Sequence, residues 1–158
     1  MFENVKMPDN MNPEVLSHLM NPQNYGKLDN PSCIGVNLDE KTGEYVIFYL
    51  ELDGDIIKDT SYATNGCQDT VVIGSMFTSM IKGQTVEVAN NSLGRITDKL
   101  GVMSKQQELC AELVLNSFVA SLINLKNLED GKTEEMHVIK TTESCEINQE
   151  ENKEDSNE

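Results

Sequence analysis

Four cysteines, at positions 33, 67, 110 and 145, are the residues of this 158-residue chain best suited to chemistry. A thiolate is a nucleophile, a sulfur carrier and a soft metal ligand. No two of the four form a C-x-x-C pair, which excludes a zinc ribbon or a thioredoxin-type motif. Thiols spaced this widely act together only if the fold gathers them. Cys67 follows Asn65-Gly66 where a strand-like pattern gives way to a helical one. Its thiol therefore falls at a helix N-terminus, where the backbone dipole favours thiolate over thiol. Cys110 lies in the first two turns of a long helical pattern, again near a positive dipole end. Two cysteines at the starts of two helices suit a shared sulfur or metal site. The competing reading makes both of them ordinary buried core residues.

The elements that must position these thiols follow from periodicity. Asn12-Pro13 opens a short helix with Val15, Leu16, Leu19 and Met20 on one face, and Asn21-Pro22 ends it. Residues 23–44 are rich in turn formers and read as loop, with one short strand near Gly35–Leu38. Tyr45–Leu52 and Ile56–Thr64 form a hairpin around Asp53-Gly54-Asp55. Helical spacing runs from Gln68 to Ile81 and is closed by Gly83, followed by a helical turn at Thr85–Ala89. Residues 90–101 are poorly patterned. Ser104 and Gln107 mark a capping box for a helix reaching Leu128, with a stripe of Leu109, Leu113, Phe118, Leu122 and Leu125. This order predicts an α+β fold, with helices packed on one face of a small antiparallel sheet.

Charge sets limits on partners. Twelve Lys and Arg face 27 Asp and Glu, a net of −15. Such a chain repels phosphate backbones and anionic membranes, so neither nucleic acid nor membrane is an expected partner. No apolar run long enough for a bilayer span stands out, and residues 1–11 read as a flexible start without a signal peptide. Soluble, cytoplasmic residence with reduced thiols is the expectation. Residues 129–158 carry eleven acidic against three basic residues and few apolar ones, and read as a disordered acidic tail. The domain is thus expected over 12–128. Cys145 reads as a spare tail thiol, and His18 and His137 as solvated. The methionines near 76–80 read as core, and no catalytic triad or phosphate-binding loop is present.

The ordered motifs resemble the IscU/NifU-type iron–sulfur cluster scaffold over about residues 12–128. Asn21-Pro22-Gln-Asn-Tyr-Gly26 is similar to the family's N-P-x-N-x-G, and Tyr62-Ala-Thr-Asn-Gly66-Cys67 to its strand-to-G-C turn. Gly74-Ser-Met76, Ile81-Lys-Gly-Gln-Thr85 and Cys110-Ala-Glu-Leu113 follow in the family's order. The resemblance implies a carrier that is not a turnover enzyme. It would take persulfide sulfur from a cysteine desulfurase, add iron to build a [2Fe–2S] cluster, and pass that cluster to apo iron–sulfur proteins. Cys67 and Cys110 match two ligand cysteines, and Cys110 also matches the family's sulfur acceptor.

The departures are specific. The family's C-G-D triplet falls on Thr42-Gly43-Glu44 in a gapless alignment, and its ligand histidine falls on Leu109. A second alignment matches Asn30-Pro-Ser-Cys33 to N-P-x-C but needs an insertion before the hairpin. The ligand set expected is therefore Cys67 and Cys110, completed by Cys33 or Glu44. Val102–Lys105 replaces the L-P-P-V-K segment, which puts handover by the dedicated heat-shock chaperone in doubt. Two alternatives remain: a zinc-binding persulfide acceptor using the same four residues, and a degenerate interaction module that has lost full ligation.

Overall fold

A computed structural model describes residues 13–141. The segment 1–11, the expected N-cap at Asn12 and Cys145 lie outside the described residues. In chain order the elements are α1 (Pro13–Met20), β1 (Cys33–Asp39), β2 (Tyr45–Asp53), β3 (Ile56–Thr64), α2 (Gln68–Ile81), α3 (Val86–Asn91), α4 (Leu93–Leu100), α5 (Lys105–Glu129) and β4 (His137–Thr141). The fold is α+β, as the periodicity predicts.

The sheet runs β3-β2-β1-β4. The β2–β3 hairpin pairs Val46 with Thr64 at one end and Asp53 with Ile56 at the other, with a register irregularity between Glu51 and Leu52. β1 pairs antiparallel with β2, from Cys33 opposite Leu50 to Leu38 opposite Tyr45. Alternate residues of the central strands face the helices, and Val46, Phe48 and Leu50 are fully buried there. Phe48, Phe77 and Phe118 meet at centroid separations of 5.2–5.9 Å, which joins β2, α2 and α5 in one core.

Helix α5 lies along β1. Ser104 accepts from the Gln107 N–H while the Gln107 side chain accepts from the Ser104 N–H, the capping box expected from sequence. Its buried face is partly polar: Ser117, Ser121 and Asn124 are as enclosed as Val114 and Phe118. The serines are satisfied within the helix, by the carbonyls of Val114 and Phe118. Small side chains let α5 approach β1 closely at Gly35. By length and composition α5 could cross a bilayer, which the sequence pattern did not suggest; here it is the central core helix.

Two segments differ from expectation. Residues 90–101, read as poorly patterned, contain α4, which buries Ile96 and pairs Lys99 with Glu14 at 2.9 Å. Its apolar period, Leu93, Ile96 and Leu100, spans only two turns, too short a run to stand out in the sequence.

The domain also extends past residue 128. β4 adds to β1 in parallel, from Gly35 opposite His137 to Asp39 opposite Thr141, so the sheet is mixed rather than wholly antiparallel. The reading of 129–158 as tail is corrected for residues 129–141, and the remainder lies outside the described residues. Apolar burial does not order this strand, for Val138 is 41% exposed. Backbone pairing and one carboxylate do. Glu134 accepts from Asn124 Nδ2 at 2.9 Å and Asn127 Nδ2 at 3.0 Å, and its other oxygen lies 3.1 Å from His137 Nδ1. Hydrogen bonds from Asn124 and Asn127, then His137, pull the Glu134 carboxyl down to about 2. His137 thus has a structural partner. So does His18, whose Nδ1 lies 2.6 Å from Ser75 Oγ.

Candidate functional site: a thiol pair at two helix starts

The loop from Asn21 to Gly26 shows how the sequence aims the site. Asn24 takes φ 62°, a conformation asparagine tolerates, and donates through Nδ2 to Thr78 Oγ1 on α2. The Tyr62 N–H donates to Asn24 O and the Gly26 N–H to Tyr62 O, so the loop pairs with the free edge of β3. Tyr25 adds a hydrogen bond to Thr64 O and an edge contact with the Tyr62 ring. Tyr62 is fully buried against α2 because Gly74 has no side chain; a Cβ there would lie 2.6 Å from the ring. Both ends of the strand-to-helix junction are thereby held.

At that junction the chain turns through Asn65-Gly66-Cys67. The Gly66 N–H donates to Thr64 Oγ1, and Thr64 Oγ1 donates to Tyr45 O at 2.6 Å. Asn65 bridges to the β1–β2 turn: its Oδ1 accepts from the Tyr45 N–H at 2.8 Å, and its Nδ2 donates to Gly43 O at 3.1 Å. Thr42-Gly43-Glu44 therefore lies at the Cys67 end of the sheet. That is the position the gapless alignment gives it.

Cys67 is the N-cap of α2, with φ −74° and ψ 176°, and its side chain makes no capping hydrogen bond. Its Sγ lies 3.4 Å from Cys110 Sγ. The two thiols are brought together across 43 residues of chain, as the positions of the helix starts suggested. Cys67 is half-buried and Cys110 only 1% exposed, so the pair has an outer and an inner member. Thr70 Oγ1 lies 3.8 Å from the Cys67 sulfur, and the exposed Gln106 side-chain amide reaches 3.7 Å from Cys110 Sγ and 4.0 Å from Cys67 Sγ.

Sequence reasoning missed Thr70, Asn65 and Gln106. Gln106 carried a signal nonetheless: it precedes Cys110 by one helical turn and so shares its face.

Electrostatics separate the two thiols. Burial opposes ionisation of Cys67, but the nearby Thr70 N–H dipole, the Cys110 thiol, the Thr70 hydroxyl and the Asp69 N–H dipole together outweigh it and lower the Cys67 pKa, although neither N–H closes a capping bond to the sulfur. Burial pushes Cys110 up to about 11, and the neighbouring Cys67 thiolate contributes to that rise. Within the pair the outer sulfur therefore ionises before the inner one.

A depressed thiol pKa means that the thiolate fraction, and with it the reaction rate, persists to lower pH than in an unfolded chain and falls only as pH drops through the lowered value. Alkylation with iodoacetamide followed by peptide mapping is expected to label Cys67 before Cys110 and Cys33. The inflection of its rate should lie below that of Cys67 in the denatured chain; coincident inflections would contradict the assignment.

Cys33 does not join the pair. It is 2% exposed at the first residue of β1, opposite Leu50, in the core. The thiol-bearing end of the sheet is about six residues along the strand, roughly 20 Å at about 3.3 Å per residue. Asn124, which accepts from the neighbouring Ile34 N–H, is likewise roughly 20 Å along α5 from Cys110 at about 1.5 Å per residue. Burial, then the charge of Glu129, pushes the Cys33 thiol up to about 12. The structure thus does not bring Cys33, the expected third ligand, to the pair: it holds that residue in a paired strand within the core.

Glu44 is half-buried at the correct end of the sheet, in a turn whose N–H donates to Thr42 Oγ1. Even so, among the described residues no three His, Cys, Asp or Glu side chains converge as a metal-binding group. The two thiols supply two of the four donors that a resident zinc takes. Leu109, at the family's histidine position, lines a small cavity with Asn37 and Asn116.

Comparison with known proteins agrees with this geometry. The profile of the NifU-like N-terminal domain matches residues 10–130. The chain is 30% identical over 146 residues to the iron-sulfur cluster assembly scaffold protein IscU of Aquifex aeolicus, covering 90% of this chain and 92% of the relative. It is 32% identical over 75 residues to the zinc-dependent sulfurtransferase SufU of Bacillus subtilis, covering 48% of this chain and 50% of the relative. The fold is shared with a putative scaffold protein for the SUF system from Fervidobacterium islandicum, at TM-score 0.58 and 18% identity over 71% of this chain and 96% of the other. With the motifs, the paired thiols and the profile in agreement, the chain belongs to the NifU-like N-terminal domain family of IscU/NifU-type scaffolds.

Proposed function

We propose that this protein is an iron–sulfur scaffold and sulfur carrier whose working centre is the Cys67–Cys110 pair. Persulfide sulfur arrives from a cysteine desulfurase, iron joins it, and the assembled [2Fe–2S] cargo leaves for apo iron–sulfur proteins. The observation that carries this reading is the 3.4 Å approach of two thiols from separate helices. Family membership supports the cargo, and the helix-start positions supply the chemistry. The resemblance implies Cys110 as the sulfur acceptor, but Cys110 is 1% exposed behind the half-buried Cys67, so we assign the first attack on sulfane sulfur to Cys67. Backbone N–H groups of α2 stabilise the Cys67 thiolate, which also ligates iron, and Gln106 donates toward both sulfurs.

Two thiolates supply half of the four terminal positions of a [2Fe–2S] cluster. Thr42 offers no ionised ligand at neutral pH, so the cargo is held loosely and completed by exogenous thiols. This favours a transfer station over a store. Val102, 89% exposed between α4 and α5, marks where the chaperone-recognition segment of the resemblance is replaced.

Anaerobic reconstitution with iron, cysteine and a cysteine desulfurase tests the reading, with visible spectra and metal analysis as readouts. The expected result is a sulfide-to-iron charge-transfer absorbance that decays quickly on adding a chelator. Absence of both bound sulfur and iron would overturn it. One equivalent of copurifying zinc with no visible absorbance would favour the zinc-binding acceptor instead.

A further inference from the structure

The pair has a property beyond holding cargo, and it rests on the sulfur-acceptor reading above. We infer that Cys110 is a resolving thiol: sulfane sulfur delivered to Cys67 is released as sulfide when Cys110 attacks, leaving a Cys67–Cys110 disulfide. Three observations lead there. The sulfurs are 3.4 Å apart, so a disulfide bond needs a closure of little more than about 1 Å, to about 2.05 Å. Cys67 is the outer, half-buried member at the start of α2, while Cys110 is 1% exposed behind it. An incoming persulfide therefore meets Cys67 first. Lastly, among the described residues no third His, Cys, Asp or Glu converges with the pair to occupy the inner sulfur as a metal ligand.

The step balances. The Cys67 persulfide and the Cys110 thiol give the Cys67–Cys110 disulfide and one molecule of hydrogen sulfide. The bond that forms joins Cys110 Sγ to Cys67 Sγ, and the bond that breaks is the one between Cys67 Sγ and the terminal sulfur. The terminal sulfur leaves with the electron pair of that bond and takes up the proton from Cys110. Sulfane sulfur is reduced to sulfide, and the two cysteine sulfurs are oxidised to the disulfide. No outside reductant is needed for release; a dithiol reductant returns the pair to its starting state. Gln106 Nε2, within 4.0 Å of both sulfurs, lies beside the departing sulfide and can donate to it. Once the dithiol reductant has reopened the pair, iron held by the two thiolates meets free sulfide rather than a persulfide.

The test uses the full reduced chain under anaerobic conditions. It is exposed briefly to glutathione persulfide, freed of small thiols by rapid desalting, then quenched with an alkylating agent at intervals. Intact mass should show the gain of one sulfur atom, followed by its loss together with two hydrogens. One equivalent of sulfide should appear, with a cross-linked peptide joining Cys67 to Cys110. A chain held without the persulfide should form no cross-link. In Cys110→Ala the added sulfur is expected to stay on Cys67 at least about tenfold longer.

A wild-type chain that keeps its added sulfur, with no cross-link and no sulfide, overturns the inference and leaves the acceptor reading standing. This outcome needs no variant, so a misfolded Cys110→Ala does not blunt it. Sulfur taken up on Cys110 instead of Cys67 overturns the inference alone, and a chain that takes up no sulfur on either cysteine overturns both.

Discussion

Replacement of Cys67 by serine is expected to lower sulfur loading from a cysteine desulfurase at least about a hundredfold, since the serine hydroxyl stays protonated where the thiol ionises. Iron retention after reconstitution should fall with it. The fold is not expected to suffer. Cys67 is the N-cap of α2, its side chain makes no capping bond, and serine is among the preferred residues at that position. A neutral or slightly stabilising effect on unfolding, of up to about 1 kcal/mol, would separate lost chemistry from lost structure. The check is mass spectrometry of the loaded chain beside denaturant unfolding of the same sample. Wild-type loading in Cys67→Ser would remove this cysteine from the mechanism.

Gly35→Ala is expected to be the most damaging single methyl group in the chain. A Cβ at residue 35 would lie 2.0 Å from Ser121 N, 2.3 Å from Ser117 O and 2.6 Å from the Ala120 carbonyl carbon. These are backbone atoms of a helix, not the ends of flexible side chains, so α5 itself must lift from β1. A loss of about 3–5 kcal/mol is expected, the upper range for overpacking, because a whole helix interface is prised apart rather than one rotamer displaced. The same helix carries Cys110, so the variant should also expose Cys110 to native-state alkylation. Gly94→Ala in α4 is the control: nothing lies within 4 Å of its added Cβ, and gains of up to about 1 kcal/mol are expected there. Denaturation midpoints of the two variants decide the matter, and equal midpoints would contradict the close packing of α5.

Much of the site could be read before any coordinates. The strand-to-helix switch at Asn65-Gly66-Cys67 and the capping box at Ser104 and Gln107 are local signals, set by hydrogen bonding within a few residues. They place both cysteines at helix starts. The Asn21–Gly26 motif was legible as a family signature, but its work was not: it closes the edge of β3 through bonds to Tyr62 and Thr78, both distant in the chain. The alignment that sets Thr42-Gly43-Glu44 just before the hairpin was likewise available in advance, and Asn65 links that turn to the strand-to-helix junction.

What sequence could not determine is long-range by nature. Cys33 and Cys110 are equally plausible partners for Cys67 by residue type; only the run of β1 away from the site, and the length of α5, separate them by roughly 20 Å. β4 was invisible because its order comes from backbone pairing to β1 and from the grip of Asn124 and Asn127 on Glu134, neither of which leaves an apolar period. α4 was missed because its apolar period, Leu93, Ile96 and Leu100, spans only two turns. By itself the sequence determined the α+β class, the hairpin and the two helix starts that carry Cys67 and Cys110, since each rests on neighbours in the chain. The tertiary structure alone decided that these two sulfurs meet at 3.4 Å and that Cys33 stays in the core, because that choice depends on how closely α5 can lie on Gly35.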